Sequence, residues 1–471
     1  MKTTAAVAAG TYFVGNHATK TGWATDFQTP VEQPGIAFIG CGIRFHTYHG
    51  SQALKFGPCV AVCDVDAVQL GRALQVCVDN HRANKRPLVI KAEENYQAVL
   101  DNKDVDVVVV GTVDHWHSKI VIDAMRAGKD VYCEKPVTLT IKEGQQILKV
   151  QQETGRTIQV GTQQRTEFGG RFAKAVAMMH DDRVGKSKLT TIAIGGSRTS
   201  GVLPECAPPN SLNWELWQGQ CPEQPYRAKE EIVDTQGWGA GFPFSRAHRY
   251  YRWFYEYSGG KLTDWGAHHV DIAMWAHNKF GKDVGPIIID PLEFNHPVEF
   301  VDGMPTSNDQ FNCATSFKVQ CTFGDGTIFM IRNTAPDKGM DNGIMFEGEK
   351  GRFVVNRGKL VGKPVEDLAK NPLDEKLLDD LYSFDYSAKK EDLKQGGFHM
   401  KDFMECCKEK RQPSSDMKTH HQMLNLCHAV NIAMRLGRTL TFDPQTETFG
   451  SDDQANSFIA REQRKGYEIG V

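Results

Sequence analysis

Short apolar segments alternate with helix-like segments through the first third of the chain, and this alternation constrains the fold most. The apolar segments are residues 35–39, 60–63, 105–110, 131–133 and 157–160. The third segment is almost entirely apolar, which suits a strand that is buried on both faces. Five strands joined by helices predict a right-handed, doubly wound parallel sheet.

A glycine turn follows the first apolar segment directly. Gly40 and Gly42 stand between this strand and a predicted helix. Glycines at such a point let backbone N–H groups approach a pyrophosphate, and the N-terminus of the helix favours negative charge. The third glycine of the dinucleotide-binding pattern is absent, because Phe45 stands in its place. The other residues of this turn that we expect at the nucleotide are Ile43 and Arg44.

The second apolar segment ends in Asp64. Its distance along the chain from the glycine turn is that at which a carboxylate binds the hydroxyls of an adenosine ribose. A carboxylate there disfavours a 2′-phosphate, so we predict NAD as the cofactor, with NADP less favoured. The alternative is that Asp64 is an ordinary turn residue at the end of a strand.

Polar residues follow the third, fourth and fifth apolar segments. Because the carboxyl ends of parallel strands meet at the crevice where open α/β sheets bind ligands, we expect these residues at the cofactor. They are Thr112, His115, His117, Glu134, Lys135 and Gln163. Taken alone, the segment Glu134-Lys135-Pro136 is more typical of a surface loop with an ion pair.

A second motif lies at residues 259–271, more than a hundred residues further along the chain. Asp264 and His268 are four residues apart, so on one helix they would share a face. A carboxylate beside an imidazole can orient it, and histidine is the usual general base for a hydroxyl proton. The alternative makes Asp264 a helix N-cap and His268 a core residue.

Taken together and in order, these motifs resemble those of the Gfo/Idh/MocA oxidoreductases, NAD(P)-dependent enzymes that act mostly on sugars, polyols and their derivatives. The family carries the pattern G-G-x-L-x-D-x-G-x-H, which residues 259–268 match at every defined position. Val113 departs from the family, where a proline usually follows the residue equivalent to Thr112. The resemblance covers roughly residues 34–445.

The resemblance implies hydride transfer between nicotinamide and a hydroxyl or carbonyl carbon of a sugar, polyol or glycoside. It implies that Lys135 is catalytic, that His268 is the base and that Asp264 orients His268. It also implies a cis peptide bond before Pro136. The substrate contacts that we expect are Lys135, Arg165, Arg252, Trp253, Asp264 and His268. Two alternatives stay open: an NAD-dependent glycoside hydrolase that oxidises its sugar transiently, and a non-catalytic dinucleotide-binding sensor.

The same reasoning divides the chain into four parts. Residues 1–33 form a signal remnant or an arm with a linker, and residues 34–160 a dinucleotide-binding Rossmann domain. Residues 161–445 form an α+β substrate domain whose strand and turn pattern predicts a large open, mainly antiparallel sheet. The resemblance implies that this sheet makes a homodimer or homotetramer and that the following helices return to the Rossmann domain. Residues 446–471 resemble the C-terminal extension of bacterial, planctomycete-type members.

Composition bears on partners and location. A net charge of −3 gives no reason to expect a nucleic acid partner, and no apolar run reaches the roughly 18 residues that span a membrane. The twelve cysteines include no Cys-x-x-Cys pair, so we predict neither a disulfide framework nor a metal site. The first fifteen residues resemble the second half of a twin-arginine signal, which leaves a cytoplasmic or a periplasmic location open; the alternative is an arm that packs on a neighbouring subunit.

Overall fold

The computed structural model of the chain describes residues 33–233, 241–281 and 284–470. The signal remnant or arm that we predict for residues 1–33 lies outside the described residues, except for its last residue. Within the described part, no helix combines the length and the apolar character that a membrane span requires.

The first half of the chain folds into a six-stranded parallel sheet with the strand order β3-β2-β1-β4-β5-β6. Strands and helices alternate along it: β1 (Ile36–Ile39), α1 (Gly50–Ala53), β2 (Cys59–Cys63), α2 (Ala67–Ala83), β3 (Lys91–Glu93), α3 (Tyr96–Leu100), β4 (Val107–Val110), α4 (Asp114–Arg126), β5 (Asp130–Cys133), α5 (Ile141–Thr154) and β6 (Ile158–Val160). A π-helical turn, Phe45–His49, precedes α1. The predicted parallel sheet is confirmed.

Strands β4 and β3 show why the sequence predicts one strand and not the other. Every residue of β4 is buried, with Val108 in the apolar cluster on one face and Val109 in the cluster on the other. A strand covered on both faces needs a continuous apolar sequence. Strand β3 is Lys-Ala-Glu at the edge of the sheet, without a buried residue, so no apolar pattern marks it.

The second half of the chain builds an eight-stranded mixed sheet with the order β17-β16-β15-β7-β14-β13-β10-β18. The pair β7–β14 is parallel and the other pairs are antiparallel. The predicted large, mainly antiparallel sheet is therefore confirmed. Its strands are β7 (Ser187–Ala193), β10 (Ile287–Asn295), β13 (Ser316–Thr322), β14 (Ile328–Arg332), β15 (Gly343–Gly348), β16 (Gly351–Val355), β17 (Leu360–Gly362) and β18 (Leu440–Phe442). Among the described residues, two antiparallel strand pairs lie outside this sheet: β8 (Ala228–Val233) with β9 (Pro243–Ser245), and β11 (Phe300–Val301) with β12 (Met304–Pro305).

Helices pack against this sheet and around it. They are α6 (Arg171–His180), α7 (Trp214–Gln218), α8 (Gly260–Asp264), α9 (Gly266–Ala276), α10 (Lys363–Glu366), α11 (Glu375–Asp379), α12 (Lys390–Gln395), α13 (Phe398–Glu409), α14 (Met417–Leu436) and α15 (Asp453–Asn456). Side chains of α6, α9 and α14 share one apolar cluster with the sheet. Strand β10 exposes Ile288, Leu292 and Phe294. Exposed apolar side chains are typical of a contact with a partner, and the predicted homo-oligomer stays a prediction.

The C-terminal segments return to the first sheet. Met400 of α13 lies in the apolar cluster on one face of that sheet, and Met417 of α14 in the cluster on the other. Residues 461–470 then run beside α4, where the rings of Tyr467 and Trp116 lie 5.9 Å apart. The end of the described chain thus reaches the edge of the predicted nucleotide crevice.

Candidate active site

A cavity of about 640 Å³ lies between the two halves of the molecule. The turns that follow β1, β2, β4 and β5 line it on one side, and the junction of α8 and α9 lines it on the other. The predicted site residues that line it are Gly40, Gly42, Ile43, Arg44, Asp64, Thr112, His117, Glu134, Lys135, Gln163, Arg252, Trp253, Asp264 and His268.

The glycine turn has the geometry that a nucleotide phosphate requires. Gly40 has a φ of +85°, a left-handed conformation that favours glycine. A Cβ at Gly40 would lie 2.4 Å from the backbone nitrogen of Thr112, so no side chain fits there. A Cβ at Gly42 would meet no atom within 4 Å. The backbone is therefore open to the cavity at Gly42, where N–H groups can bind a pyrophosphate.

Asp64 closes the nucleotide end of the cavity. Its carboxylate accepts backbone N–H groups of Cys41, at 2.7 Å, and of Asp66, at 2.9 Å. Burial raises the pKa of Asp64 to about 6, against the opposing effect of these two hydrogen bonds. A carboxylate in this position fits the hydroxyl groups of an adenosine ribose and disfavours a 2′-phosphate. The residues present therefore fit NAD.

Glu134 is the centre of a hydrogen-bonded cluster. Its Oε1 accepts hydrogen bonds from Arg44 at 2.8 Å and from Gln163 at 2.9 Å, and lies 3.1 Å from Nε2 of His49. Burial alone would raise the pKa of Glu134, but Arg44 and His49 outweigh this effect and hold the pKa well below its usual range. Glu134 therefore stays ionised, and its ion pair with Arg44 fixes the Arg44 side chain at the wall of the cavity.

Lys135 pairs with Asp264 across the cavity. Its Nζ lies 2.6 Å from Oδ1 of Asp264 and 3.0 Å from the Asp264 carbonyl oxygen. Burial would raise the pKa of Asp264, but Lys135 and Lys261 lower it far below its usual range. The Lys135–Pro136 peptide bond is cis, as the family resemblance implies. An ionised Asp264 thus fixes the ammonium group of Lys135.

The predicted pairing of Asp264 with His268 is not what the structure shows. Helix α8 ends at Asp264 and α9 begins at Gly266, while Trp265 between them keeps right-handed helical backbone angles. The opposite charge of Lys135 binds the Asp264 carboxylate instead. Among the described residues, no hydrogen bond joins Asp264 to His268, and Nδ1 of His268 has no partner.

His268 is buried at the wall of the cavity. Burial lowers its pKa well below the usual value, and the charges of Arg357 and Lys135 lower it further. Its imidazole is consequently neutral at neutral pH. A neutral imidazole can accept a proton from a hydroxyl group.

Three predicted site residues form hydrogen bonds with other parts of the protein. His115 lies outside the described lining of the cavity, with Nε2 2.8 Å from the Trp217 carbonyl oxygen. Arg165 also lies outside it, because its guanidinium forms two hydrogen bonds to Asp271, at 2.6 and 2.8 Å. The ring nitrogens of His117 face backbone carbonyls of Pro136 and Thr112, at 2.7 and 3.2 Å, so His117 joins two turns although it borders the cavity.

Arg252 and Trp253, which the sequence predicts as substrate contacts, lie in the wall of the cavity beside the α8–α9 junction. The guanidinium of Arg252 lies 4.8 Å above the Tyr251 ring. Tyr251 in turn donates a 2.8 Å hydrogen bond to Asp114. The indole Nε1 of Trp253 has no partner among the described residues.

The sequence analysis did not single out Arg357, which also lines the cavity. Arg357 follows strand β16 in a turn, far along the chain from the other site residues. Its Cζ lies 4.5 Å from the centre of the Trp265 ring. A turn of Asn-Arg-Gly carries no pattern that distinguishes Arg357 from a solvated arginine, so only the tertiary structure identifies it.

Family models place this fold in a known class. Residues 35–162 match the model described as an oxidoreductase family with an NAD-binding Rossmann fold, and residues 198–469 match the C-terminal alpha/beta domain of that oxidoreductase family. The class is therefore that of NAD-binding oxidoreductases. The chain belongs to the Gfo/Idh/MocA family.

Two curated relatives illustrate the range of this family. Inositol 2-dehydrogenase from Salmonella typhimurium is 33% identical over 179 residues, which is 38% of this chain and 49% of that protein. Alpha-N-acetylgalactosaminidase from Shewanella oneidensis is 31% identical over 185 residues, which is 38% of this chain and 36% of that protein. The chain thus matches less than half the length of either relative.

Solved structures share the fold over most of the chain. The WlbA dehydrogenase from Bordetella pertussis, in complex with NADH and UDP-GlcNAcA, covers 87% of this chain with a TM-score of 0.56 and 17% identity, over 98% of its own chain. The aldose-aldose oxidoreductase from Caulobacter crescentus, in complex with glycerol, has a TM-score of 0.52 and 17% identity, and covers 87% of this chain and 99% of its own.

Proposed function

We propose that the protein is an NAD-dependent dehydrogenase or reductase that acts on a hydroxyl or carbonyl carbon of a sugar, polyol or glycoside. One observation carries the proposal. Lys135, Asp264 and His268 line the same cavity as the glycine turn. A substrate carbon beside these three residues would lie at the reactive end of a bound dinucleotide. The curated inositol 2-dehydrogenase supports this reaction class.

Lys135 supplies positive charge at the reacting oxygen. In the oxidation direction the hydroxyl oxygen gains negative charge as its proton leaves, and an ammonium group fixed beside it stabilises that charge. Asp264 is a positioning residue in this proposal, because it binds the Lys135 Nζ at 2.6 Å. This role replaces the predicted orientation of His268 by Asp264.

His268 is the proposed base. Its lowered pKa keeps the imidazole neutral, so a ring nitrogen can take the hydroxyl proton and return it in the reverse direction. When bound, NAD supplies the hydride acceptor. The Lys135 and Asp264 side chains are largely buried, and the lower dielectric around them strengthens the electrostatic effect of Lys135.

A second candidate function is an NAD-dependent glycoside hydrolase, in which the sugar is oxidised only transiently. The observation in its favour is the curated relative named alpha-N-acetylgalactosaminidase. The two candidates differ in their net products. A dehydrogenase accumulates NADH, whereas the hydrolase releases an aglycone while the cofactor returns to its starting state.

The first experiment identifies the cofactor and the reaction together. Nucleotide released by denaturing the purified protein is identified by mass, and the NAD-loaded protein is then assayed with a panel of sugars, polyols and nitrophenyl glycosides. Net NADH supports the dehydrogenase. Nitrophenol without NADH supports the hydrolase. If the protein binds NAD but forms neither product, both candidate functions would be contradicted. A non-catalytic dinucleotide-binding protein would then remain.

Lys149→Met provides a matched control for Lys135→Met in this assay. The Lys149 side chain is 60% exposed on α5 and pairs with Glu153 at 3.9 Å, away from the cavity. Turnover should survive in the control and be lost in Lys135→Met. Equal turnover in the two variants would contradict the role of Lys135.

A further inference from the structure

Several positively charged side chains surround the end of the cavity that holds Lys135, Asp264 and His268, which we call the reaction end. Lys135, Arg252, Lys261 and Arg357 all line it there and all interact electrostatically with Asp264. The carboxylate of Asp264 is 2.6 Å from Lys135 and 3.7 Å from Lys261. The proposed catalytic pair of Lys135 and Asp264 therefore leaves three cations around a carboxylate that is already paired.

The neighbouring carboxylates are occupied by other groups. Glu134 binds Arg44 at 2.8 Å. Asp114 accepts hydroxyl hydrogen bonds from Tyr251 at 2.8 Å and from Ser258 at 2.6 Å. Among the described residues, no carboxylate lies within ion-pair distance of Arg357. Positive charge thus exceeds negative charge at this end.

Trp265 holds two of these cations beside the proposed base. Nζ of Lys261 lies 5.8 Å from the centre of the Trp265 ring and Cζ of Arg357 lies 4.5 Å from it. The rings of Trp265 and His268 are 6.1 Å apart. Lys261 and Arg357 are therefore neighbours of the site where we place the reacting hydroxyl group.

The pKa directions agree with an uncompensated positive charge. Burial and the charge of Arg44 lower the pKa of Arg357 to about 10, against the opposing effects of Asp264 and Glu134. Burial also lowers the pKa of Lys261; Asp264 opposes this, and Lys135 and Arg252 add to it. A half-buried cation without a carboxylate costs free energy that a bound anion would offset.

We propose that the substrate is an acidic sugar whose carboxylate or phosphate group binds Lys261 and Arg357 while its reacting hydroxyl lies between Lys135 and His268. This inference rests on the proposed function, because the hydroxyl group is placed by that reaction. The guanidinium of Arg357 suits a planar carboxylate or a phosphate through paired hydrogen bonds. A neutral sugar would leave Arg357 without an anionic partner and Lys261 with only its 3.7 Å contact to the shared carboxylate of Asp264.

Matched substrates test the inference directly. The NAD-loaded protein is assayed with glucose, glucuronate and glucose 6-phosphate, and with the corresponding galactose and mannose series. We expect kcat/KM for a uronate or a phosphate to exceed that for its neutral parent by about 10- to 100-fold, the range for a hydrogen bond to a charged group. A comparison of the uronates with the sugar phosphates shows which of the two anions the site binds. A neutral sugar that reacts as well as its acidic partners would overturn the inference and leave the dehydrogenase intact.

Variants separate a substrate contact from a general effect on the site. Arg357→Gln and Lys261→Gln should each lower kcat/KM for the acidic sugar about tenfold or more, with a much smaller change for the neutral parent. Arg357→Lys should restore part of the loss. Arg352→Gln, at a side chain that is 66% exposed on β16, is the matched control and should leave the preference unchanged. An equal loss for acidic and neutral sugars would overturn the inference.

Calorimetry supplies a readout that does not depend on turnover. Titration of the NAD-loaded protein with glucuronate, galacturonate and the hexose phosphates should show binding that weakens in Arg357→Gln, while the affinity for NAD stays within about threefold. An acidic sugar that binds without any NADH formation would contradict the proposed reaction and support the anion site. Failure of every acidic sugar to bind, or a parallel loss of NAD affinity in Arg357→Gln, would overturn the anion site.

Discussion

The two ends of the cavity are built in different ways. The nucleotide end uses backbone geometry from one short region of the chain, namely the glycine turn and the carboxylate of Asp64, which two backbone N–H groups hold. The reaction end uses charged side chains such as Lys135, Asp264 and Arg357, which come from three separate segments. Local sequence determines the first kind of site and packing determines the second. Substitutions at the two ends should therefore separate cofactor binding from turnover.

The largest effect should come from Lys135→Met. Loss of a preorganised charge at a developing oxyanion typically lowers kcat about 100- to 1000-fold. NAD affinity, measured by calorimetry, should change little, because the glycine turn and Asp64 are intact. If Lys135→Met lost much of its NAD affinity but kept its kcat, Lys135 would act in cofactor binding. The two ends of the cavity would then not have separate roles.

Gly40→Ala should damage the opposite end. The alanine would be strained at a φ of +85° and its Cβ would lie 2.4 Å from the Thr112 nitrogen. A residue forced into such a conformation costs about 1 to 3 kcal/mol. We expect a lower melting temperature and weak NAD binding. Gly42→Ala, where a Cβ meets no atom within 4 Å, is the matched comparison and should retain stability; equal destabilisation by the two changes would contradict this reading of the turn.

Asp64→Asn should have a smaller effect that is confined to the cofactor. An amide cannot replace a carboxylate as a charge-assisted acceptor for ribose hydroxyls, so NAD affinity should fall about tenfold. The preference for NAD over NADP should narrow, because the negative charge that repels a 2′-phosphate is gone. Titrations with both nucleotides measure this ratio. A ratio that stays the same would show that Asp64 does not select the cofactor.

The smallest effect concerns pH. Burial, Arg357 and Lys135 lower the pKa of His268, while Glu134 raises it and His269 lowers it further. The imidazole therefore remains an unprotonated base below the usual histidine pKa of about 6.5. In the oxidation direction, the acidic limb of the pH profile of kcat/KM should lie below that value.

The variant Arg357→Gln tests more directly whether His268 is the group that titrates in the acidic limb. Removal of a cation beside His268 makes protonation easier, so the acidic limb should move to higher pH. Arg352→Gln should leave the limb in place. An unchanged limb in Arg357→Gln would mean that another group titrates, and the assignment of His268 as the base would then fail.

The parts of the fold that the sequence predicts are those with a strong local pattern. Strand β4 is nearly uniform in apolar character and is buried throughout, so its pattern identifies it. Strand β3 is polar and lies at an edge, so nothing in its sequence distinguishes it from a loop. The glycine turn is predictable for a similar reason, since Gly40 carries a backbone conformation that other residues disfavour.

Residue spacing alone does not reveal which charged side chains pair in the folded protein. The four-residue spacing of Asp264 and His268 predicts a pair on one helix face, but Lys135, from a distant segment, binds the Asp264 carboxylate. Arg165 follows a strand of the first sheet as a ligand-binding residue would. Asp271, more than a hundred residues away, binds it instead.

The sequence by itself determined the parallel sheet, the glycine turn and the family to which the chain belongs. These features depend on local conformation and on burial, which a short stretch of residues specifies. Only the tertiary structure decided which charges meet: Lys135 with Asp264, Arg165 with Asp271, and Arg357 beside His268. Charge pairing depends on distances in space between segments far apart along the chain, and sequence spacing does not contain those distances.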